Sequence, residues 1–224
     1  MSEEPSWADA EMSSDAELPD TQAAETAEAV EASWKEAGDV TIQSAEHELS
    51  NAWPLDILLV HTPSGLSCRT AEALYWVEML TYPGMTPVEH VLRAYVAAAK
   101  SPTEARYFAK GVPSRSYVRS GKTLPRWIER VIHIRRDLAR QNGGRLSMRS
   151  DGDNERYAVM SQVIAAKYTT SSRARDALMA TGDRTLLVDL GPYERQWGCG
   201  SNIKPGLNML GRLTQKWRDE NRPD

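Results

Sequence analysis

Phenylalanine is almost missing from this 224-residue chain, which has one, and cysteine is scarce, with two. Cys68 and Cys199 alone cannot build the disulfide framework on which small secreted domains depend. Apolar runs of the roughly 18 residues that a membrane-spanning helix needs are absent, as is a secretory signal pattern. The expectation is therefore a reducing, cytoplasmic setting with no membrane partner. His47, His61, His90 and His133 are scattered, with no cysteine or carboxylate at ligand spacing, so neither a metal nor a cofactor is expected. Cys199 has no histidine near it in sequence and makes a poor nucleophile. Internal repeats are lacking. Gly198-Cys199-Gly200 does not complete a dinucleotide fingerprint because Ile203 takes the sixth position, and Ser116–Thr123 (SYVRSGKT) lacks the first glycine of a phosphate-binding loop.

Basic residues are nearly absent from residues 1–40, which hold twelve Asp or Glu and a single Lys, a local charge of −11. The whole chain carries −4, so residues 41–224 carry +7. The first segment also has few aliphatic residues, too few to offset the entropy of ordering it, and is expected to be a disordered acidic tail. Residues 41–224 suffice for one domain with its own core.

Within that domain, helix signals outnumber strand signals. Thr86-Pro-Val-Glu89 is a capping box with proline in the first turn, opening a helix to about Lys100, and Ser101-Pro-Thr-Glu104 repeats the device for a helix to about Lys110. Trp127, Val131, Ile134 and Leu138 form a helical stripe that ends at Gly143-Gly144. Ser147–Asn154 reads as loop. Leu55–Val60 and Leu66–Arg69 read as two strands or a hairpin. Near the C-terminus, Ser171 or Ser172 caps a helix with Ala174, Ala177 and Leu178 on one face. Gly182 fits a left-handed position past its end, and Thr185–Asp189 reads as a buried strand. Asn208 stands where a further helix begins. The fold class expected is α+β, mostly helical, with a few short strands.

Three blocks of the last third stand at fixed separation: Ala177–Asp183 (ALMATGD), Trp197-Gly-Cys-Gly200 and Gly206–Arg212 (GLNMLGR). Upstream are Leu49-Ser-Asn-Ala-Trp-Pro54, Thr70-Ala-Glu72-Ala-Leu-Tyr75, Ser101-Pro-Thr-Glu-Ala105, and Arg156-Tyr-Ala-Val-Met160 leading to Ala166-Lys-Tyr168. In this order the blocks resemble those of the NADAR superfamily, also called YbiA-like or RibX-like, over roughly residues 40–219. The stretch between Gly111 and Asn154 is longer than the family pattern, and part of it reads as an insertion.

The resemblance implies an N-glycosidase. Breaking an N-glycosidic bond builds positive charge on the sugar C1 and O4, so the site needs a nearby carboxylate, a placed water and a hold on the leaving base. The family's motif glutamate maps onto Glu72, making it the candidate carboxylate, and Trp197 offers a face on which a base can stack. Glu194 stands where the family has Asp and is one methylene longer. Ser50, Asn51, Trp53 and Tyr75 suit ribose or base contacts, and Trp127 is the candidate for a tryptophan that the family places before the arginine helix. Arg156 and Lys167 lie eleven residues apart on one helix, about three turns, where both can face phosphates. Gly198 and Gly200 would let backbone approach a ligand, with Asn208 beside them. Two positions depart from the family: Ala73 replaces its histidine and Met79 its lysine.

The family implies two substrates, ADP-ribose on a guanine base of nucleic acid and phosphoribosylamino-pyrimidine intermediates of riboflavin synthesis. The basic body leans towards the nucleic-acid adduct, as a reversal of ADP-ribosylation that counters a toxin or a phage defence. A module that binds ADP-ribose or an NAD derivative without cleaving it is the second reading, and a salt-sensitive nucleic-acid scaffold protein the third.

Overall fold

The structure is a computed structural model that describes residues 40–42, 48–52, 54–55, 65–111, 123–149, 152–190, 195–200 and 205–223. Residues 1–39 of the acidic tail, residues 56–60, residues 116–122 of the SYVRSGKT segment, His47 and His61 lie outside the described residues.

Seven helices and two strands are described, in keeping with the expected mostly helical α+β class. Strand β1 is Val40–Ile42 and strand β2 is Leu186–Val188. They pair in parallel, Val40 opposite Leu186 and Ile42 opposite Val188, so the helices α1 to α6 lie between them in the chain. Leu186 and Val188 point inward and Leu187 outward, the two-residue alternation of a strand buried on one face. Leu66–Arg69 forms no named strand; there the Leu55 N–H donates to the Arg69 carbonyl at 2.8 Å.

The helix starts follow the caps read in the sequence. Helix α1 spans Ala71–Met79 behind Thr70, whose hydroxyl accepts from the Ala73 N–H. Helix α2 spans Pro87–Ala97 behind the complete Thr86/Glu89 capping box, and α3 spans Pro102–Lys110 behind Ser101, ending on Gly111 at φ 70°. Helix α4, Arg126–Gln141, stops before Gly143 and Gly144, both at positive φ. Helix α5, Asp153–Thr170, is the longest, and α6, Ser172–Met179, follows at once because Ser171 ends one helix and caps the next. Helix α7 is Met209–Glu220.

Helix α1 is the centre of the packing. Eight of its nine residues are buried, and it touches α2, α3 and α5. Ala73 and Met79, where the sequence departs from the family, are both in this core, 2% and 1% exposed. A histidine or lysine at either place would need a buried polar partner. Helix α5 carries α6 and α7 on its other sides, and α7 packs on β2.

The start of α7 departs from a standard N-cap. Asn208 is left-handed (φ 48°, ψ 38°), a conformation asparagine tolerates better than most residues, and its side chain caps nothing. Instead Asn208 Oδ1 accepts from the Val188 N–H at 3.0 Å and Nδ2 donates to the Leu186 carbonyl at 2.7 Å. The amide thus pairs with the free edge of β2 and fixes α7 against it. Gly211, one turn on, has no side chain for the same reason: a Cβ there would overlap the Leu186 carbonyl and the Asn208 amide.

Candidate functional site

Four parts of the chain meet at a pocket of about 280 Å³. The first turn of α1 supplies Glu72, with Tyr75 and Trp76 behind it; α3 supplies Arg106 and Lys110; α5 supplies Arg156 and Met160; the loop after β2 supplies Gln196 and Trp197. Leu190 and Leu210 complete the wall.

Glu72 is held at both ends. Its N–H donates to the Asn51 carbonyl at 3.0 Å, and its Oε1 accepts from the Trp76 indole N–H at 2.9 Å, one helical turn away. The Lys110 ammonium lies 5.3 Å from the centre of the Trp76 ring, a cation–π contact. Around Glu72, the other charged groups of the wall among the described residues are Arg106, Lys110 and Arg156, all cations.

Trp197 is fixed by its neighbours rather than by burial. Tyr75 meets its ring edge-on at 5.9 Å and Tyr157 at 5.5 Å. The preceding Gln196 donates through Nε2 to Asp153 Oδ1 at 2.7 Å and to the Tyr157 hydroxyl at 3.2 Å, while its Oε1 accepts from Arg156 at 3.5 Å. The loop's own backbone is closed by bonds to the start of α7, among them Asn208 N–H to the Gly198 carbonyl at 3.0 Å and Leu210 N–H to the Trp197 carbonyl at 3.1 Å.

Of the residues expected from the sequence, Glu72, Tyr75, Arg156 and Trp197 line this pocket. Trp53 and Glu194 lie outside the described residues. The others take different places. Gly198 and Gly200 do not line the pocket; the Gly198 carbonyl sits where a Cβ on Gly206 would fall, so it is Gly206 whose missing side chain lets the loop close, and Gly200 holds φ 72° beside its bridge to Pro205. Asn208, 2% exposed, is the strand clip described above. Ser50 Oγ accepts from the Ala52 N–H at 3.2 Å, and Asn51 turns its amide to Met160 Sδ at 3.4 Å, behind the wall. Trp127 stands away from Glu72, on the far side of α3, and is 44% exposed, so it serves neither this pocket nor the core.

Lys167 is the clearest departure from the sequence reading. It shares an angular face with Arg156, but eleven residues displace it about 16 Å along the axis, where the 48–52 turn covers it. There it is fully buried, and its ammonium donates to the Leu49 and Ser50 carbonyls, both at 2.8 Å. Burial pushes its pKa down to about 7.

Sequence reasoning missed Arg106, Lys110 and Gln196. The signal was there for the first two: they are four apart in a well-capped helix and therefore share a face. Gln196 gives no such sign, because its role depends on Asp153 and Tyr157, some forty residues earlier.

The chain belongs to the NADAR domain family, which matches residues 34–222. It is 39% identical over 73 residues to an N-glycosidase of Nostoc punctiforme, covering 33% of this chain and 46% of that protein. It is 33% identical over 81 residues to the chloroplastic riboflavin biosynthesis protein PYRR of Zea mays, covering 36% of this chain and 13% of that one. The chain thus spans less than half the length of these curated relatives. Among solved structures, the E. coli protein YbiA matches with a TM-score of 0.49 at 19% identity, over 81% of this chain and 84% of that one. Among the described residues no helix is long and apolar enough to cross a membrane, and no cluster of His, Cys, Asp or Glu could hold a metal ion.

Proposed function

We propose that this protein is an N-glycosidase that removes ADP-ribose from a base of nucleic acid. The observation that carries the reading is the Glu72 carboxylate in a wall whose other charged groups, among the described residues, are Arg106, Lys110 and Arg156. Three cations suit a substrate with more than one phosphate, as a diphosphate-linked ADP-ribosyl group has. The name of the Nostoc relative supports the reaction class.

In this reading the base stacks on Trp197 and the phosphates face the three cations. As the C1–N bond breaks, the bonding pair leaves with the base and positive charge spreads over C1 and O4. Glu72 offsets that charge and orients the water that attacks C1; the water's proton passes to the carboxylate and then to the departing nitrogen. The Trp76 N–H fixes the orientation of the carboxylate. Glu194 is a second carboxylate for the same step, one that the sequence puts three residues before Trp197.

A second reading, hydrolysis of a phosphoribosylamino-pyrimidine, is favoured by the likeness to the maize riboflavin protein. The test is to incubate the protein with ADP-ribosylated oligonucleotide, a phosphoribosylamino-pyrimidine, NAD and ADP-ribose, and to follow release by chromatography. Free ADP-ribose and restored guanine from the oligonucleotide are expected. Turnover of the pyrimidine alone would replace the first reading by the second, and binding of ADP-ribose with no release from any substrate would make the protein a binding module.

A further inference from the structure

Helix α3 has a second working side. Arg106 and Lys110 face the Glu72 pocket, whereas Glu104 and Phe108, offset by two residues, face a separate cavity of about 460 Å³ between α2, α3 and α4. Its walls include Tyr95 from α2 and Trp127, Arg130 and Ile134 from α4.

The two large rings of this groove are held from beneath and open above. Tyr95 stacks on Phe108 with ring centres 5.2 Å apart and planes at 22°, yet stays 41% exposed. Trp127 meets Tyr107 edge-on at 6.1 Å and stays 44% exposed. A ring that is orientationally fixed and half open is a platform for a flat partner, since little freedom is left to lose on binding.

The charge around the rings is mainly positive. Helix α4 carries five arginines against Glu129 and Asp137, and Asp137 is paired with Arg140 at 2.9 Å. Arg126 and Arg130 are exposed and one turn apart, flanking Trp127, and Lys100 is exposed at the opposite rim. The Glu104 carboxylate is turned back to the Lys100 backbone N–H at 2.5 Å, and among the described residues Glu129 is the exposed acid beside the arginine pair. An apolar peptide would cover the rings and leave these cations facing nothing. A duplex hides the faces of its bases.

We propose that this groove binds single-stranded nucleic acid, with bases stacked on Trp127 and Tyr95 and phosphates against Arg126 and Arg130. It extends the nucleic-acid reading of the Glu72 pocket, and rests on it for biological sense, but its test needs no cleavage.

Binding of an unmodified, fluorescently labelled twelve-nucleotide oligothymidylate is measured by anisotropy across a salt series. Wild type should bind, with log K falling against log salt at a slope of about −0.7 for each phosphate engaged, or about −1.4 for two. Trp127→Ala should weaken binding by about tenfold or more, Tyr95→Ala by several fold, and Arg130→Glu should flatten the slope by roughly one phosphate's share. Circular dichroism confirms that each variant is folded. Absent binding, a Trp127→Ala affinity equal to wild type, or equal binding of a duplex of the same charge would overturn the proposal. The nucleic-acid reading of the pocket is judged separately: Trp127→Ala should keep wild-type turnover on an ADP-ribosylated guanosine and show a raised KM only on the oligonucleotide. If no ADP-ribosylated substrate is turned over while oligothymidylate binding stands, the reading of the pocket fails and the groove survives.

Discussion

Trp76 lies one helical turn beyond Glu72 and donates its indole N–H to the Glu72 carboxylate at 2.9 Å, in the first turn of a helix that is otherwise buried. The bond orients a carboxylate whose charge has its largest effect in an oxocarbenium-like transition state. Glu72→Gln keeps shape and hydrogen-bonding reach but loses the charge. Turnover should fall by roughly a hundredfold or more while ligand affinity stays within a few fold. Near-normal turnover would reject Glu72 and direct the search to Glu194.

Trp197 is half-buried between Tyr75 and Tyr157. If it holds the leaving base, Trp197→Ala should lose about 1 to 3 kcal/mol of ligand binding, read by calorimetry on the folded variant. Wild-type affinity in that variant would leave Trp197 a packing role alone.

The parts of the fold that the sequence announces are those set by local chemistry. Thr86, Ser101 and Ser171 act within three residues of themselves, and each cap stands where the sequence puts it. Glu72 and Trp197 stand in blocks that follow the family's order, and both line the pocket. Lys167 and Asn208 sit in motifs too, but the groups that they bind lie elsewhere in the chain. The Lys167 carbonyls are more than a hundred residues away, and the Asn208 bonds reach back twenty and twenty-two residues to β2. Spacing tells which way a side chain points on its own helix. It does not tell what covers that face.

Glu89 predicts an acid limb. Burial raises its pKa, but hydrogen bonds from Tyr82, Thr86 and Ser147 outweigh this and hold it at about 2, against 4.5 ordinarily. A folded-state pKa below the unfolded one gives stability that is full above about 4.5 and is lost as pH falls towards 2. Glu89→Gln should lose roughly 1 to 3 kcal/mol at neutral pH and show a flatter stability profile across that window, measured by urea unfolding. Parallel profiles for the two proteins would contradict the assignment.

The contact between α7 and β2 leaves no room at Gly211. Gly211→Ala would drive a Cβ into the Leu186 carbonyl and the Asn208 amide, and Asn208→Ala would leave the Leu186 carbonyl and the Val188 N–H without their partner. Each should destabilise by about 2 kcal/mol or more in thermal or denaturant unfolding. Because they act on one contact, the double variant should cost less than the sum. Full additivity would show that the two act independently.

Lys167 links the buried core to Glu72 through backbone. Its ammonium holds the Leu49 and Ser50 carbonyls, and the next carbonyl, that of Asn51, accepts the Glu72 N–H. Lys167→Met keeps the length and apolar stem but frees both carbonyls, so the turn should shift and carry the Glu72 backbone with it. Turnover should then drop about tenfold or more with KM changed far less, since a small misplacement costs mainly the reacting geometry. Titration adds a second readout. With the native pKa pushed down to about 7 against 10.5 ordinarily, the unfolded chain holds the proton more firmly between those values, so this group's contribution makes stability rise with pH across them. Lys167→Met should remove that rise. A variant with wild-type turnover and the same pH profile would mean that the ammonium neither positions the turn nor titrates there.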